Sequence, residues 1–306
     1  MIKLGIMGMS AGNAHPYSWA SIINGVFNAE EIIKVGYPAV AAYLQANIDT
    51  LGINAVNVTH VWAQEMSVAK SIAFSAGIQN VCARYEDMIG NVDAVLLTRD
   101  DPENHVEMAR PFIDAGVPIF IDKPLAGNIN DLNYFRKEVE KGKFIMSCSS
   151  MRYANEARIV KQDLNNIGEL QLITAVGKKD WIKYGVHMLE VVFALLNDLK
   201  AVSVTNIGEA NKDIVKVTFE NGFVATVYLY MDIAPTFQIS VFGTTAWRLI
   251  DVKNSYSMFR DNIIEFIRSV QEGKPRLAFE KTENIIKVLI AANESRQNGG
   301  VKIDLN

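Results

Sequence analysis

Ile2-Lys3-Leu4-Gly5-Ile6-Met7-Gly8-Met9-Ser10-Ala11-Gly12-Asn13-Ala14-His15-Pro16 sets a short apolar run against a glycine-bearing loop, and closes on a proline of the kind that opens a helix. Glycines after a first strand let the backbone approach a pyrophosphate, and the helix N-terminus attracts it. Gly8 and Gly12 are present, but Ser10 stands where the dinucleotide fingerprint has its middle glycine. Ser10 still offers a hydroxyl and a backbone N–H. A plain strand-to-helix turn is the competing reading of this loop.

Outward from that loop the same alternation repeats. The stretches 2–8, 55–62, 92–98, 117–122 and 144–148 are short, apolar and rich in branched residues, as buried parallel strands are. Helical patterns at 16–26, 65–76, 103–115 and 129–140 lie between them, and Gly77 and Gly116 follow two of these where a left-handed residue ends a helix. Strand and helix in alternation predict an α/β fold, a Rossmann-type doubly wound parallel sheet over residues 1–150. Residues 27–54 are too long for an ordinary connection and read as an insertion near the cofactor edge, with a small helix around 39–46.

The pattern changes over residues 151–306. A helix near 155–164 precedes strand-like segments at 170–177, 201–207, 215–219, 223–230, 238–242 and 247–250. Glu220-Asn221-Gly222 signals a hairpin, since Asn-Gly supplies the positive φ angles of a tight turn. Helices at 259–272 and 280–298 close the chain around the stop signal Gly273-Lys274-Pro275. This predicts an α+β domain with an open, mostly antiparallel sheet. One face of that sheet, carrying Val224, Thr226 and Tyr228 or their opposite set, is expected to pair with another copy as a homodimer or homotetramer.

Composition narrows the function. The 306 residues are 49% hydrophobic and 21% charged, with a net charge of −4, which argues against nucleic acid as the main partner. No apolar run reaches the ~20 residues of a membrane span, and the N-terminal run is too short for a signal peptide. Two cysteines exclude a disulfide framework, and the four histidines form no metal-spaced set with the carboxylates. A cytoplasmic protein with no metal is expected.

Several side chains are candidates on position alone. Val61-Trp62-Ala63-Gln64-Glu65 ends the second strand where an acidic residue normally grips the adenosine ribose. Glu65 either reaches the ribose or favours the following helix through its dipole; the lack of arginine here tilts the cofactor from NADP toward NAD. Asn13 and His15 open the first helix, and His15 either caps it or touches cofactor phosphates. Tyr17 and Trp19 either shape the nicotinamide pocket or pack in the core. Thr98 and Arg99 stand at a strand's carboxyl end, where a cofactor crosses the sheet, and Asn104 and His105 either cap the next helix or contact the cofactor. Arg152 and Tyr153 follow the last strand of the first domain and are candidates to line the substrate cleft.

One combination is more specific. Leu97-Thr98-Arg99-Asp100-Asp101-Pro102-Glu103-Asn104-His105 precedes a helix, after which Gly116-Val117-Pro118-Ile119-Phe120-Ile121 leads into Asp122-Lys123-Pro124-Leu125-Ala126. With Met151-Arg152-Tyr153, Gly185-Val186-His187 and Gly243-Thr244-Thr245-Ala246-Trp247, the chain resembles the glucose-fructose oxidoreductase / inositol dehydrogenase / MocA family over essentially its whole length. The resemblance implies an NAD(P)-dependent oxidoreductase acting on a hydroxyl of a sugar, cyclitol or sugar nucleotide. It implies catalytic groups between the two domains, and a cofactor set that takes in Asp122, Lys123 and Pro124. Lys123 is then expected beside the nicotinamide, and His187, opening a helix over 188–196, faces the same substrate oxygen. An imidazole suits proton transfer near neutral pH, and a lysine ammonium suits a developing alkoxide.

The chain departs from that family at Lys183 and, conservatively, at Glu190, where aspartate is frequent. An aspartate commonly stands one helical turn before the histidine; here it is Lys183, followed by Tyr184. Lys183 then contacts a substrate anion or faces solvent, and Tyr184 is an additional phenolic acid. Two other functions fit the same scaffold: an NAD-dependent glycosidase working by transient oxidation and elimination, and a non-catalytic sugar- or nucleotide-binding regulator.

Overall fold

The structure is a computed structural model, and it describes residues 1–305. The chain divides into two compact units. The first comprises Met1–Leu125, Asn133–Ser147 and Phe259–Phe279; the second comprises Ala126–Leu132, Cys148–Met258 and Glu280–Asn306.

In chain order the first half contains β1 (Ile2–Met7), α1 (His15–Asn24), α2 (Ala29–Lys34), α3 (Pro38–Ala46), β2 (Val56–Trp62), α4 (Met66–Ala76), β3 (Asn80–Val81), β4 (Ala94–Leu97), α5 (His105–Asp114), β5 (Ile119–Ile121), α6 (Ile129–Glu140) and β6 (Ile145–Met146). The six strands pair in parallel in the order β3-β2-β1-β4-β5-β6. That is the dinucleotide-binding order, with the topological switch beside β1. β4, β5, β6 and the end of β1 are buried on both faces, which explains their unbroken apolar runs, while β2 is half-buried.

The insertion forms two helices, α2 and α3, where the sequence pattern suggested one. Both lie in the helical layer beside α1, and the Tyr43 hydroxyl donates to Ser18 on α1. Residues 259–279 return to the first unit, although the sequence pattern assigned them to the second domain. Aromatic packing explains the return: Phe259 meets the rings of His15 and Trp19, and Phe266 meets Phe120 edge-on at 5.6 Å.

The second half adds α7 (Asn155–Asp163), β7 (Leu170–Lys178), α8 (Trp181–Leu195), β8 (Ala201–Asn206), β9 (Lys212–Phe219), β10 (Val224–Tyr230), β11 (Phe237–Gly243), β12 (Trp247–Asp251), α9 (Ser255–Glu272), α10 (Phe279–Gln297) and β13 (Ile303–Asp304). Its seven strands run β12-β11-β7-β10-β9-β8-β13. Pairing is antiparallel except between β7 and β10, so the sheet is mixed. The hairpin joining β9 to β10 uses three residues, Glu220 to Gly222, closed by Phe219 and Phe223. Only Gly222 takes a positive φ, because a three-residue loop needs one left-handed position where a two-residue turn needs two. One face of the sheet buries Ala225, Val227 and Leu229, and the alternate residues Val224, Thr226, Tyr228 and Tyr230 are half-exposed.

Two glycines of the first loop do different work. A methyl on Gly8 would meet Pro16 Cγ at 2.4 Å, so the glycine allows the strand end to approach α1; Gly12 has open space around it but a φ of +78°. Gly8→Ala is therefore expected to destabilise the first unit by about 1–3 kcal/mol through overpacking. Gly12→Ala is expected to cost about 1 kcal/mol through backbone strain alone. Denaturant midpoints of the two variants check this ranking.

Candidate active site

The first cluster lies at the carboxyl ends of β1, β4 and β5. Asp122 follows β5 and is fully buried. Its Oδ2 accepts from Asn13 Nδ2 at 2.9 Å and lies 2.5 Å from His15 Nδ1, and its Oδ1 accepts the Lys123 N–H at 2.8 Å. Burial alone would raise this carboxyl's pKa. The His15 charge and hydrogen bond, then Lys123 and Asn13, outweigh burial and hold it at about 2. Asp122 thus clamps the start of α1 to the lysine segment. The Lys123 ammonium is also buried and lies 3.7 Å from Asp100 Oδ2. Asp100 in turn accepts the Ser10 hydroxyl at 2.5 Å and returns its own N–H to that oxygen at 3.0 Å.

The Ser10 hydroxyl is therefore committed to Asp100 instead of to a ligand. The loop's main chain is not: among the described residues, the N–H groups of Ser10, Ala11, Gly12 and Ala14 donate to no protein acceptor. A row of unpaired amides beside a helix N-terminus fits a dinucleotide pyrophosphate. Gln64 braces the loop by donating to Met9 O at 2.9 Å. Exposed Glu65 is the N-cap residue of α4 yet makes no side-chain cap bond, so its carboxylate is available to a ribose. Trp62 is half-buried, edge-on to Tyr85 at 5.1 Å.

Other candidates turn out to be structural. His15 does not cap α1: Ala14 is the N-cap residue, and Asn13 Oδ1 accepts the His15 N–H. Tyr17 and Trp19 are buried core residues with no surface left for substrate. Tyr17 donates to Ser71 at 3.0 Å, and Trp19 stacks on His15 at 4.6 Å. The cause is that α1 is covered on its outer side by α3 and Phe259. Thr98 donates to Met7 O at 2.7 Å and ties β4 to β1, while Arg99 pairs with Asp101. His105 is fully buried, its ring nitrogens 3.0 Å from the carbonyls of Leu125 and Arg99, so it reaches neither a cap nor a cofactor. Asn104 bonds Asp101 instead of capping α5. Pro124 is buried behind a cis Lys123–Pro124 peptide.

The second unit carries a second cluster. Asp180 caps α8 by accepting the Lys183 N–H at 3.0 Å, so α8 begins at Trp181 and His187 stands inside the helix instead of opening it. Lys183 and Tyr184 lie in its first turn, half-buried. Lys179, not anticipated from sequence, donates to the Tyr184 hydroxyl at 2.5 Å. Tyr184 and Phe237 meet the His187 ring edge-on at 5.1 and 5.8 Å. His187 Nδ1 lies 2.6 Å from Ser149 Oγ, a partner that sequence reasoning missed.

Arg152 is a structural ion rather than a substrate ligand. Its Nε donates to Glu190 at 2.6 Å and its Nη2 to Asp198 at 2.7 Å, which itself pairs with Lys281. Burial opposes the charge on Arg152, but the two carboxylates hold it protonated. Tyr153 lies beneath the Arg158 guanidinium, 5.6 Å from ring centroid to Cζ. Among the described residues no cluster of three or more His, Cys, Asp or Glu side chains is arranged to hold a metal ion.

This geometry defines a Rossmann domain whose loop suits a dinucleotide. Residues 33–148 match the family described as "Oxidoreductase family, NAD-binding Rossmann fold", the GFO/IDH/MocA family. No curated protein sequence matches the chain. Among solved structures, myo-inositol 2-dehydrogenase from Lactobacillus plantarum superposes with a TM-score of 0.79 at 15% identity, covering 100% of this chain and 99% of that one. Scyllo-inositol dehydrogenase from Lactobacillus casei, with bound NAD(H) and scyllo-inositol, gives 0.75 at 14%, covering 99% of each chain. GenD2 from gentamicin A biosynthesis, in complex with NAD, gives 0.76 at 15%, covering 100% and 96%. At such identities the likeness is one of fold. The matched region begins after the glycine loop, so that loop's assignment stands on its own geometry.

The Asp122 clamp has a pH signature. Its pKa is depressed from the ordinary carboxylate value to about 2, so its contribution is complete above pH 4 and lost as pH falls toward 2. Asp122→Asn is expected to cost about 2 kcal/mol at neutral pH, with the deficit shrinking below pH 4. Unfolding midpoints of both proteins across that range check it.

Proposed function

We propose that this protein is an NAD-dependent dehydrogenase or reductase that interconverts a hydroxyl and a carbonyl on a cyclitol or sugar. The observation that carries the reading is Lys123: a buried ammonium at the carboxyl end of a parallel strand, joined through Asp122 to the loop that suits a pyrophosphate. Asp100, 3.7 Å away, offsets the burial of this charge, and an ammonium kept at that strand end suits substrate chemistry. The inositol bound to one structural relative and the inositol names of others support the substrate class.

The loop amides of residues 10–12 and 14 hold the pyrophosphate, and Gln64 and Glu65 the adenosine ribose, with NAD preferred to NADP. When bound, the nicotinamide accepts or returns a hydride. In the oxidative direction the hydroxyl proton must leave as its carbon loses hydride. His187 takes that proton, and the Lys123 ammonium stabilises the developing negative charge on oxygen. In reduction the same groups run in reverse. Tyr184, hydrogen-bonded to Lys179, is a second hydroxyl at this cluster, and Lys183 is a substrate contact. The half-exposed face of the second sheet, with Leu172, Trp247 and Leu249 exposed on its strands, suits a second copy. We place the protein in the cytoplasm. In support, its two cysteines are buried thiols, and no helix of the described residues is long and apolar enough to cross a membrane.

Assay against a panel of inositols, sugars and sugar nucleotides with NAD and NADP tests the reading. Lys123→Met and His187→Gln are each expected to lower kcat by about 10²–10⁴-fold, while NAD binding measured by nucleotide titration persists. Full turnover by Lys123→Met would remove the proposed role of the ammonium. Light scattering is expected to report a dimer or tetramer; a monomer at micromolar concentration argues against the sheet interface.

A further inference from the structure

We propose that Ser149 is the positioning residue of His187, and that its hydroxyl lets one imidazole pose present either a proton or a lone pair at Nε2. The inference rests on the reading of His187 as the acid/base.

Ser149 is fully buried and held from several sides. Its N–H donates to Glu190 Oε1 at 2.9 Å, and its Oγ accepts the Met151 N–H at 3.2 Å. Glu190 Oε2 is occupied by Arg152 Nε, which keeps the carboxylate turned toward Ser149. Glu190 lies one turn after His187 on α8, so the serine is gripped by the same helix that carries the imidazole. The edges of Tyr184 and Phe237 set the plane of the His187 ring. They do not distinguish a ring from the same ring turned by 180°; the 2.6 Å contact between Ser149 Oγ and Nδ1 does.

The choice of a hydroxyl has a chemical consequence. A serine oxygen has one hydrogen and two lone pairs. Met151 uses one lone pair. With the hydrogen turned to Nδ1, the neutral ring carries its proton on Nε2 and donates a hydrogen bond there. With the second lone pair accepting from Nδ1–H, Nε2 is the basic nitrogen, and the imidazolium formed when it takes a proton returns that proton as the acid while Nδ1–H still donates to Ser149. A carboxylate in that place only accepts, so it favours the Nδ1–H form alone. Ser149 supports both forms with the same number of hydrogen bonds and no movement of heavy atoms. A serine therefore replaces, on a different element, the orienting work that a carboxylate at position 183 would do.

Nitrogen NMR of the full-length protein labelled at histidine tests this, with His187→Gln assigning the signals. In the wild-type protein at neutral pH, the His187 nitrogens are expected to be distinct and characteristic of a hydrogen-bonded Nδ1. In Ser149→Ala and the near-isosteric Ser149→Cys, the Nδ1 signal is expected to lose its hydrogen-bonded character. Turnover of myo- or scyllo-inositol with NAD is expected to lose about 10- to 100-fold in kcat, with KM changed less than about twofold. Ser149→Thr, which keeps the hydroxyl, is expected to restore both readouts. Unchanged His187 signals in the alanine and cysteine variants overturn the proposal, as does a threonine variant no better than alanine. His187→Gln with full turnover overturns the acid/base reading itself. In that event the nitrogen signals still report whether Ser149 orients the ring.

Discussion

A single buried carboxylate organises the nucleotide-binding unit. Asp122 receives donors from both sides of the central strands: Asn13 and His15 from the loop that follows β1, and the Lys123 N–H from the segment that follows β5. A carboxylate in such a place is tolerable because three donors meet its oxygens and a cation lies near. Its low pKa is a measure of how well those donors are arranged. Removing any one would loosen the loop and the lysine together. The position of the ammonium and the shape of the cofactor loop are thus one property of the structure.

The second unit solves a similar problem with a different ion. Arg152 is shared between Glu190 and Asp198, and through Glu190 it steadies the backbone at Ser149. Burial pushes the Glu190 pKa up, and the Arg152 charge and the Ser149 amide pull against it. The arrangement sets the Arg152, Glu190 and Asp198 charges behind one histidine whose Nδ1 meets the Ser149 hydroxyl. Both units therefore use ionic networks to hold a chemically useful nitrogen.

Local signals made most of the fold legible. Short branched runs bounded by glycine gave the parallel strands, and alternation around Glu220-Asn221-Gly222 gave the β9–β10 hairpin. The Asp122-Lys123-Pro124 segment and Gly185-Val186-His187 stood out as candidates because each carries a recognisable chemistry in a short motif. Ser149 was not, since a serine at a strand end has no distinctive pattern and its partner lies 38 positions away. Arg152 was misread for a related reason: an arginine after a strand looks the same whether it awaits a substrate or two buried carboxylates. Tyr17 and Trp19 were left ambiguous because α1 is buried almost all round, which erases the amphipathic pattern that would have marked its inner face.

The return of residues 259–279 to the first unit bears on how the chain is made. A ribosome that has released every strand of the first sheet has yet to synthesise Phe259 and Phe266, so Trp19 and Phe120 emerge with each other but without these two rings. Domains usually complete themselves in order during translation. Here the first must wait for the second to be threaded through, and the nascent chain carries an unfilled apolar seam that chaperones are suited to cover.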